Sequence, residues 1–256
     1  MEIESESQFV WKQIKFLLKL PFILLLVLFG KREKKELLAP LRDLWNFLLE
    51  PKATVVLIVL NVIVFILQMF YFGDIDPYVF TLNHLLKLNF FPMVASWFLH
   101  ANLSHLLGNM LALYIFGRVV ERRFGSWYFL LIYFGAGIIA SLLSVLFGQP
   151  GIGASGAISG IISTGIMINP FYFTYLILGI PLPIMLIGLL SIWSDLTNII
   201  VPANDNIGHF AHLGGYLSTA LLVFAFSEEK KHKMKIGLII NVIFVALAAI
   251  LYYFVF

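Results

Sequence analysis

The sequence predicts an all-α, polytopic membrane protein, and three observations carry that expectation. The chain of 256 residues is 61% hydrophobic and only 12% charged, with a mean hydropathy of +0.95. A soluble domain is nearer half apolar and a quarter charged, and a core of this size cannot hide the excess. Apolar runs of transmembrane length recur along the chain. Lysine and arginine fall in alternate loops, which is the charge pattern of a threaded helical bundle. There is no cysteine, which excludes disulfides and thiol chemistry.

Taken in order, Phe16–Phe29 is an apolar but short segment, with Lys19 inside it, Pro21 breaking it and basic residues on both sides. It reads as a helix lying in the membrane interface, with a spanning helix as the alternative. Acidic residues precede it and no small-residue cleavage site follows, so it does not read as a removed signal peptide. Six spans are expected at about Ala53–Phe72, Ser104–Val120, Ser126–Phe147, Ser155–Ile168, Leu182–Ile200 and Gly208–Phe226, and a seventh at Ile236–Phe256. The fourth is short, so its start is expected below the membrane surface. Gly73–Leu103 is long but rich in Phe, Leu and Trp, and is expected to lie in the outer leaflet. The 201–207 loop, with Asn204, Asp205 and Asn206, is polar and turn-forming. No internal repeat is visible, which gives an inverted-repeat transporter no support.

The basic residues orient the bundle. Lys31, Arg32, Lys34, Lys35, Arg42 and Lys52 precede the first span, Arg118, Arg122 and Arg123 follow the second, and Lys230, Lys231, Lys233 and Lys235 follow the sixth. Apart from Lys87, the alternate loops are nearly free of them. The basic loops belong to the cytoplasmic side. The N-terminus is then cytoplasmic, and the 73–103, 148–154 and 201–207 loops face outward.

The fourth span opens with GIGASGAISG at 151–160, which matches three patterns. The dinucleotide fingerprint needs a preceding strand and an acidic residue about 20 positions on. Here a membrane helix precedes, and no Asp or Glu occurs between Glu121 and Asp195. The hydrolase elbow also lacks its strand. Helix packing through Gly156 and Gly160 is sound, because small residues let membrane helices approach closely.

Polar groups at the same depth point further. Ionisable residues within a membrane are costly and mark function. WFLHANLSHLLGNM brings His100, His105 and Asn109 to the start of the second span, with His105 and Asn109 on one helix face at i, i+4. GHFAHLGGYL brings His209 and His212 to the start of the sixth; His209, nearer the polar 201–207 loop, is expected to be the wetter, and His212 to lie a turn deeper. Two chemistries fit. In the first, Ser155 is a nucleophile at a helix N-terminus that favours a developing anion. One sixth-span histidine is its base, and His105 and Asn109 stabilise the oxyanion. In the second, His100, His105, His209 and His212 bind zinc. That leaves Ser155 and Asn109 without a role, and no H-E-x-x-H is present.

FLHANLSHLLGNM, VVERRFG, GASGA and AHLGG, in this order, resemble the rhomboid family of intramembrane serine proteases, over about Ala53 to Phe226. The resemblance implies a rhomboid-like six-helix core with one added C-terminal transmembrane helix. It implies a Ser–His dyad reached by water from the outer face, with Ser155 as nucleophile and His212 as base. His105 and Asn109 match the oxyanion pair, and Glu121 and Arg122 a structural motif below the second span. The 73–103 loop matches the membrane-embedded first loop, and the 201–207 loop the cap over the site. The family often carries an aromatic four residues after the nucleophile, packed on the base; here that position is Ser159. Asp195 invites a role as third catalytic member, but its flanks, Trp193 and Ser194, favour a hydrogen-bonded structural residue at the interface; His84 and His232 read as ordinary polar positions.

The expected organisation is an N-terminal cytoplasmic or interfacial region (1–52), a six-helix catalytic core (53–227), and a basic loop with a seventh helix (228–256). The expected activity is cleavage of other proteins' transmembrane or juxtamembrane segments. Family resemblance implies substrates with an easily unwound helix and a small residue before the scissile bond. The partners are membrane-protein substrates and the lipid bilayer; no cofactor, metal or nucleic acid is expected. The alternative is a non-catalytic relative that binds or escorts membrane helices, with a metal transporter behind it.

Overall fold

The computed structural model describes residues 6–71, 73–176, 179–201, 207–223 and 226–255. The chain is helical almost throughout. In order it forms α1 (Glu6–Leu28), α2 (Ala39–Leu49), α3 (Lys52–Tyr71), α4 (Leu82–Leu86), α5 (Phe91–Ser96), α6 (Leu103–Phe124), α7 (Ser126–Leu146), α8 (Ser155–Ile168), α9 (Ile184–Ile200), α10 (His209–Leu222) and α11 (Glu228–Val255). A two-residue antiparallel ladder, Phe173–Thr174 against Leu182–Pro183, closes the α8–α9 connection. Among the described residues α3, α6, α7 and α11 are long and apolar enough to cross a membrane, and α8 and α9 are shorter apolar helices. The protein is an integral membrane protein. On α3, for example, Val56, Val59, Ile63 and Ile66 are exposed, as befits a face turned to lipid.

The helix α8 is the hub, packed against α6, α7, α9, α10 and α11. Small residues make that possible. A Cβ on Gly156 would come 2.7 Å from the Ala140 Cβ of α7. One on Gly214 would come 2.8 Å from the Ala140 Cα, and one on Gly215 would overlap the Gly156 carbonyl. The helix-packing reading of GIGASGAISG therefore holds for Gly156, and Gly160 likewise abuts Ala136 and Ser218.

One end of the bundle is tied by Glu121. Its carboxylate accepts from Ala53 N, Thr54 N and Thr54 Oγ1 at 2.8–2.9 Å and from Ser126 Oγ at 2.6 Å. A carboxylate at the N-terminal ends of α3 and α7 satisfies free amides and complements both helix dipoles. Beside it the fully buried Arg118 lies 3.4 Å over the Phe47 ring. Glu50 accepts from Arg118 (3.2 Å) and from Arg122 Nε (2.7 Å). These contacts pin α2 beneath α6.

Several boundaries differ from the sequence reading. The helix α1 is 23 residues long and runs through Pro21, where a break is expected. Proline removes one i→i−4 bond, and the rest of the helix keeps its own. The seventh helix starts eight residues before Ile236, because Glu228 and Glu229 suit a helix N-terminus and pair with Lys231 and Lys233. It is fastened to α8 by Asn241 Nδ2 donating to Ile166 O at 2.9 Å. The 73–103 segment contains a 3-10 turn at Asp76–Tyr78 besides α4 and α5. It is anchored by Trp97 Nε1 donating to Ser141 Oγ of α7 (2.8 Å). His84 forms a reciprocal cap with Thr81 at the start of α4. Asn204, Asp205 and Asn206 of the 201–207 loop, Phe72 and Phe256 lie outside the described residues.

Candidate active site

At the end of the bundle opposite Glu121 and the arginines of α6 lies a cavity of about 1010 Å³. The starts of α6, α8 and α10 and the last turn of α9 all open onto it. It brings together Ser155, His105, Asn109, His209 and His212.

Local sequence positions each of them. The Asn102 side chain caps α6 by accepting from His105 N (2.9 Å), so His105 and Asn109 lie on consecutive turns at the mouth of the helix. The backbone N–H of Ala101 points at His105 Nδ1 at 3.4 Å. An amide can only donate, so Nδ1 is the acceptor and the ring proton resides on Nε2. Asn109 Nδ2 is buried and has no hydrogen-bond partner, although the residue lines the cavity. Gly153 makes this approach possible. It adopts φ +120°, and a Cβ there would meet His105 Nε2 at 2.8 Å and Asn109 Nδ2 at 3.4 Å. The Gly153 N–H is held by Ser96 O at 2.8 Å, which fixes the 148–154 loop against α5.

Ser155 is the first residue of α8 and is half-buried on the cavity wall. The first amides of a helix have no intrahelical acceptor, so the surroundings of Ser155 favour negative charge. Among the described residues no hydrogen bond joins Ser155 Oγ to His212. Catalytic contacts are often long without substrate and tighten when it binds.

The histidines divide into two pairs. His100 and His105 lie with ring centroids 5.1 Å apart. His100 is fully buried, with its backbone clamped by the Gln68 amide of α3 (2.8 and 3.1 Å). Burial pushes its pKa down to about 4, with His105 adding to the effect, so it is neutral. His209 and His212 form the second pair, 6.2 Å apart. The zinc reading required all four imidazoles at one point, and that set is not assembled. The group whose donor atoms could share an ion is Asp195, His209 and His212, within 4.8 Å of one another.

Two expectations are corrected here. His209 was expected to be the wetter of the two histidines of α10; it is the drier, with its side chain 8% exposed against 16% for His212. Asp195 was expected as a hydrogen-bonded residue at the interface; it is hydrogen-bonded, but buried, and accepts from both histidines and from Tyr216 (2.7–2.8 Å). Sequence reasoning undervalued this residue and missed Tyr216. The available signal was a single carboxylate in an otherwise apolar helix, which must find partners to be tolerated there.

A helical membrane protein with a serine, histidines and an asparagine amide around one cavity is of the class that the sequence motifs suggest. The rhomboid domain family matches residues 87–229, more than half of the chain, and the chain belongs to the rhomboid family. It is 31% identical over 163 residues to RHOMBOID-like protein 12, mitochondrial, of Arabidopsis thaliana, covering 56% of this chain and 47% of that protein. It is 39% identical over 129 residues to the rhomboid protease GluP of Bacillus subtilis (strain 168), covering 48% and 24%. The putative rhomboid protease YdcA of the same organism is 32% identical over 144 residues, covering 55% and 69%. The chain spans about half the length of the first of these relatives and a quarter of the second.

Proposed function

We propose that the protein is an intramembrane serine endopeptidase that cleaves transmembrane or juxtamembrane segments of other membrane proteins with a Ser155–His212 dyad. The observation that carries the reading is the shared cavity, which Ser155, His212 and Asn109 all line and where the Asn109 amide has no hydrogen-bond partner. His212 Nε2 takes the Oγ proton as Oγ attacks the scissile carbonyl, and the ring then delivers it to the leaving amine. Asn109 Nδ2 and His105 Nε2 donate to the oxyanion. A helical peptide hides its carbonyls in its own hydrogen bonds, so the substrate segment must unwind to react. No metal or nucleotide enters this scheme.

The proposed frame is a six-helix core at 53–227, made of α3 and α6–α10, with α11 as the added seventh span. The test is labelling of the detergent-purified protein by a serine-reactive fluorophosphonate, alongside cleavage of transmembrane reporter substrates in liposomes. Labelling at Ser155 is expected. A protein that binds such substrates but is neither labelled nor cleaves them is a non-catalytic relative that escorts helices.

Asn109→Ala is expected to lower kcat while KM stays nearly unchanged, because its hydrogen bond strengthens as charge develops. The loss should be about 10²–10³-fold, as for single oxyanion donors elsewhere. A change confined to KM would remove Asn109 from the oxyanion role.

The proposed orientation has a cytoplasmic N-terminus and a cavity that opens outward, since the basic residues gather at the opposite end. With seven spans the C-terminus is outside. A reporter fused after Phe256 should be active only on the outer side. Activity in the cytoplasm would mean that α1 also crosses, or that α11 does not.

A further inference from the structure

We propose that Asp195 is the positioning residue of the site, holding His212 in the one tautomer and orientation that can act as base; this rests on the Ser155–His212 reading. The carboxylate stands on α9. Oδ1 accepts from His212 Nδ1 at 2.8 Å and from His209 Nδ1 at 2.7 Å. Oδ2 accepts from the Tyr216 hydroxyl at 2.7 Å. His209, His212 and Tyr216 fall at i, i+3 and i+7, one stripe of α10, and all three converge on this one side chain.

The tautomer follows from the donor inventory. An ionised carboxylate only accepts, so each Nδ1 that faces it carries the proton. His212 Nε2 is therefore left with its lone pair, free to receive the Ser155 proton. As the Oγ–C bond forms, that proton moves to Nε2, and the resulting imidazolium lies against the charge of Asp195. When the C–N bond breaks, Nε2 returns the proton to the departing amine. Asp195 stays ionised throughout, as the third member of a triad does.

The arrangement also explains how Ser159 is tolerated. In the position where an aromatic would pack on the base, Ser159 Oγ turns back to donate to Ser155 O at 2.9 Å. The ring of His212 is instead gripped from the far side by Asp195, which Tyr216 holds in turn. Membrane burial makes an unpartnered carboxylate costly, and three donors to one carboxylate are the compensation.

Other titratable groups face His212. His105 comes from α6, and His209 and Tyr216 from α10 itself. The helices α7 and α8 add no titratable group to the cavity lining among the described residues. A carboxylate beside the ring stabilises the imidazolium that forms as the proton moves, so its loss falls on kcat rather than on KM.

The experiment is steady-state cleavage of a transmembrane reporter by the protein in liposomes, with fluorophosphonate labelling rates. Asp195→Asn is expected to lose about 10²–10⁴-fold in kcat, with KM changed less than about threefold. Tyr216→Phe, which keeps the ring, should lower kcat by a smaller amount, again with KM little changed. If Asp195→Asn keeps kcat within about threefold while Ser155→Ala is inactive, the dyad stands and the positioning role is overturned. If the wild type is neither labelled nor active, the protease reading itself is overturned. Should Asp195→Asn fail to fold, Tyr216→Phe decides, and an unchanged kcat there overturns the proposal.

Discussion

Ser155→Ala is expected to abolish cleavage and fluorophosphonate labelling together while leaving the fold intact. Loss of a serine nucleophile costs about 10⁶-fold in kcat in soluble proteases, which would bring turnover to background. The fold should survive because the contacts of this helix start belong to its neighbours. Gly156 abuts Ala140 of α7, and Gly215 of α10 seats on the Gly156 carbonyl. Ser155 itself is half-buried on the cavity wall and its hydroxyl makes no hydrogen bond in the described structure. A change in unfolding free energy below about 1 kcal/mol is expected, as for sites outside the packed core. Undiminished cleavage by the alanine variant would show that the nucleophile has been assigned to the wrong residue.

The stretch GIGASGAISG raises two readings that look like competitors, and the fold accommodates both. Adjacent residues of one helix start point to different surroundings, so the glycines can pack while the serine faces the cavity. That division was legible in outline. Glycines four apart give a packing face, and the starts of the second, fourth and sixth spans were expected at one depth from the hydropathy and charge patterns together. The helix positions followed from hydropathy because a membrane span must satisfy its backbone internally, which leaves few alternatives to a long apolar helix.

Partner choice among polar side chains was much less legible. Spacing puts His209 and His212 on one face of α10, but nothing local says which neighbour that face meets. Asp195 lies 14 positions before His209 on another helix, and its three hydrogen bonds exist only once α9 packs on α10. The same limit applies to Gly153. A glycine in a short loop is unremarkable in sequence, and the requirement for it comes from His105 lying where a Cβ would go. The starts of α1 and α11 were misjudged for a simpler reason. Hydropathy marks where a segment is apolar, while a helix continues for as long as its backbone and end charges allow.

His212→Ala is expected to lose both cleavage and labelling, whereas His209→Ala keeps a substantial part of each. Both histidines donate Nδ1 to the same oxygen of Asp195, so hydrogen bonding to the carboxylate does not distinguish them. Access does. The His212 side chain is twice as exposed as that of His209, and it sits a turn further into α10, beside the Gly215 that lets α8 come close. Its Nε2 is the candidate to reach the Ser155 hydroxyl. Without that base the serine is a weak nucleophile at neutral pH, and a loss on the order of 10⁶-fold matches removal of the nucleophile itself. Removing His209 leaves Asp195 Oδ1 to His212 alone, so the base remains oriented and the loss should stay within about tenfold. Parallel kinetics on the two variants, with labelling as a substrate-independent readout, separate the cases. An inactive His209→Ala beside an active His212→Ala would transfer the base role to His209.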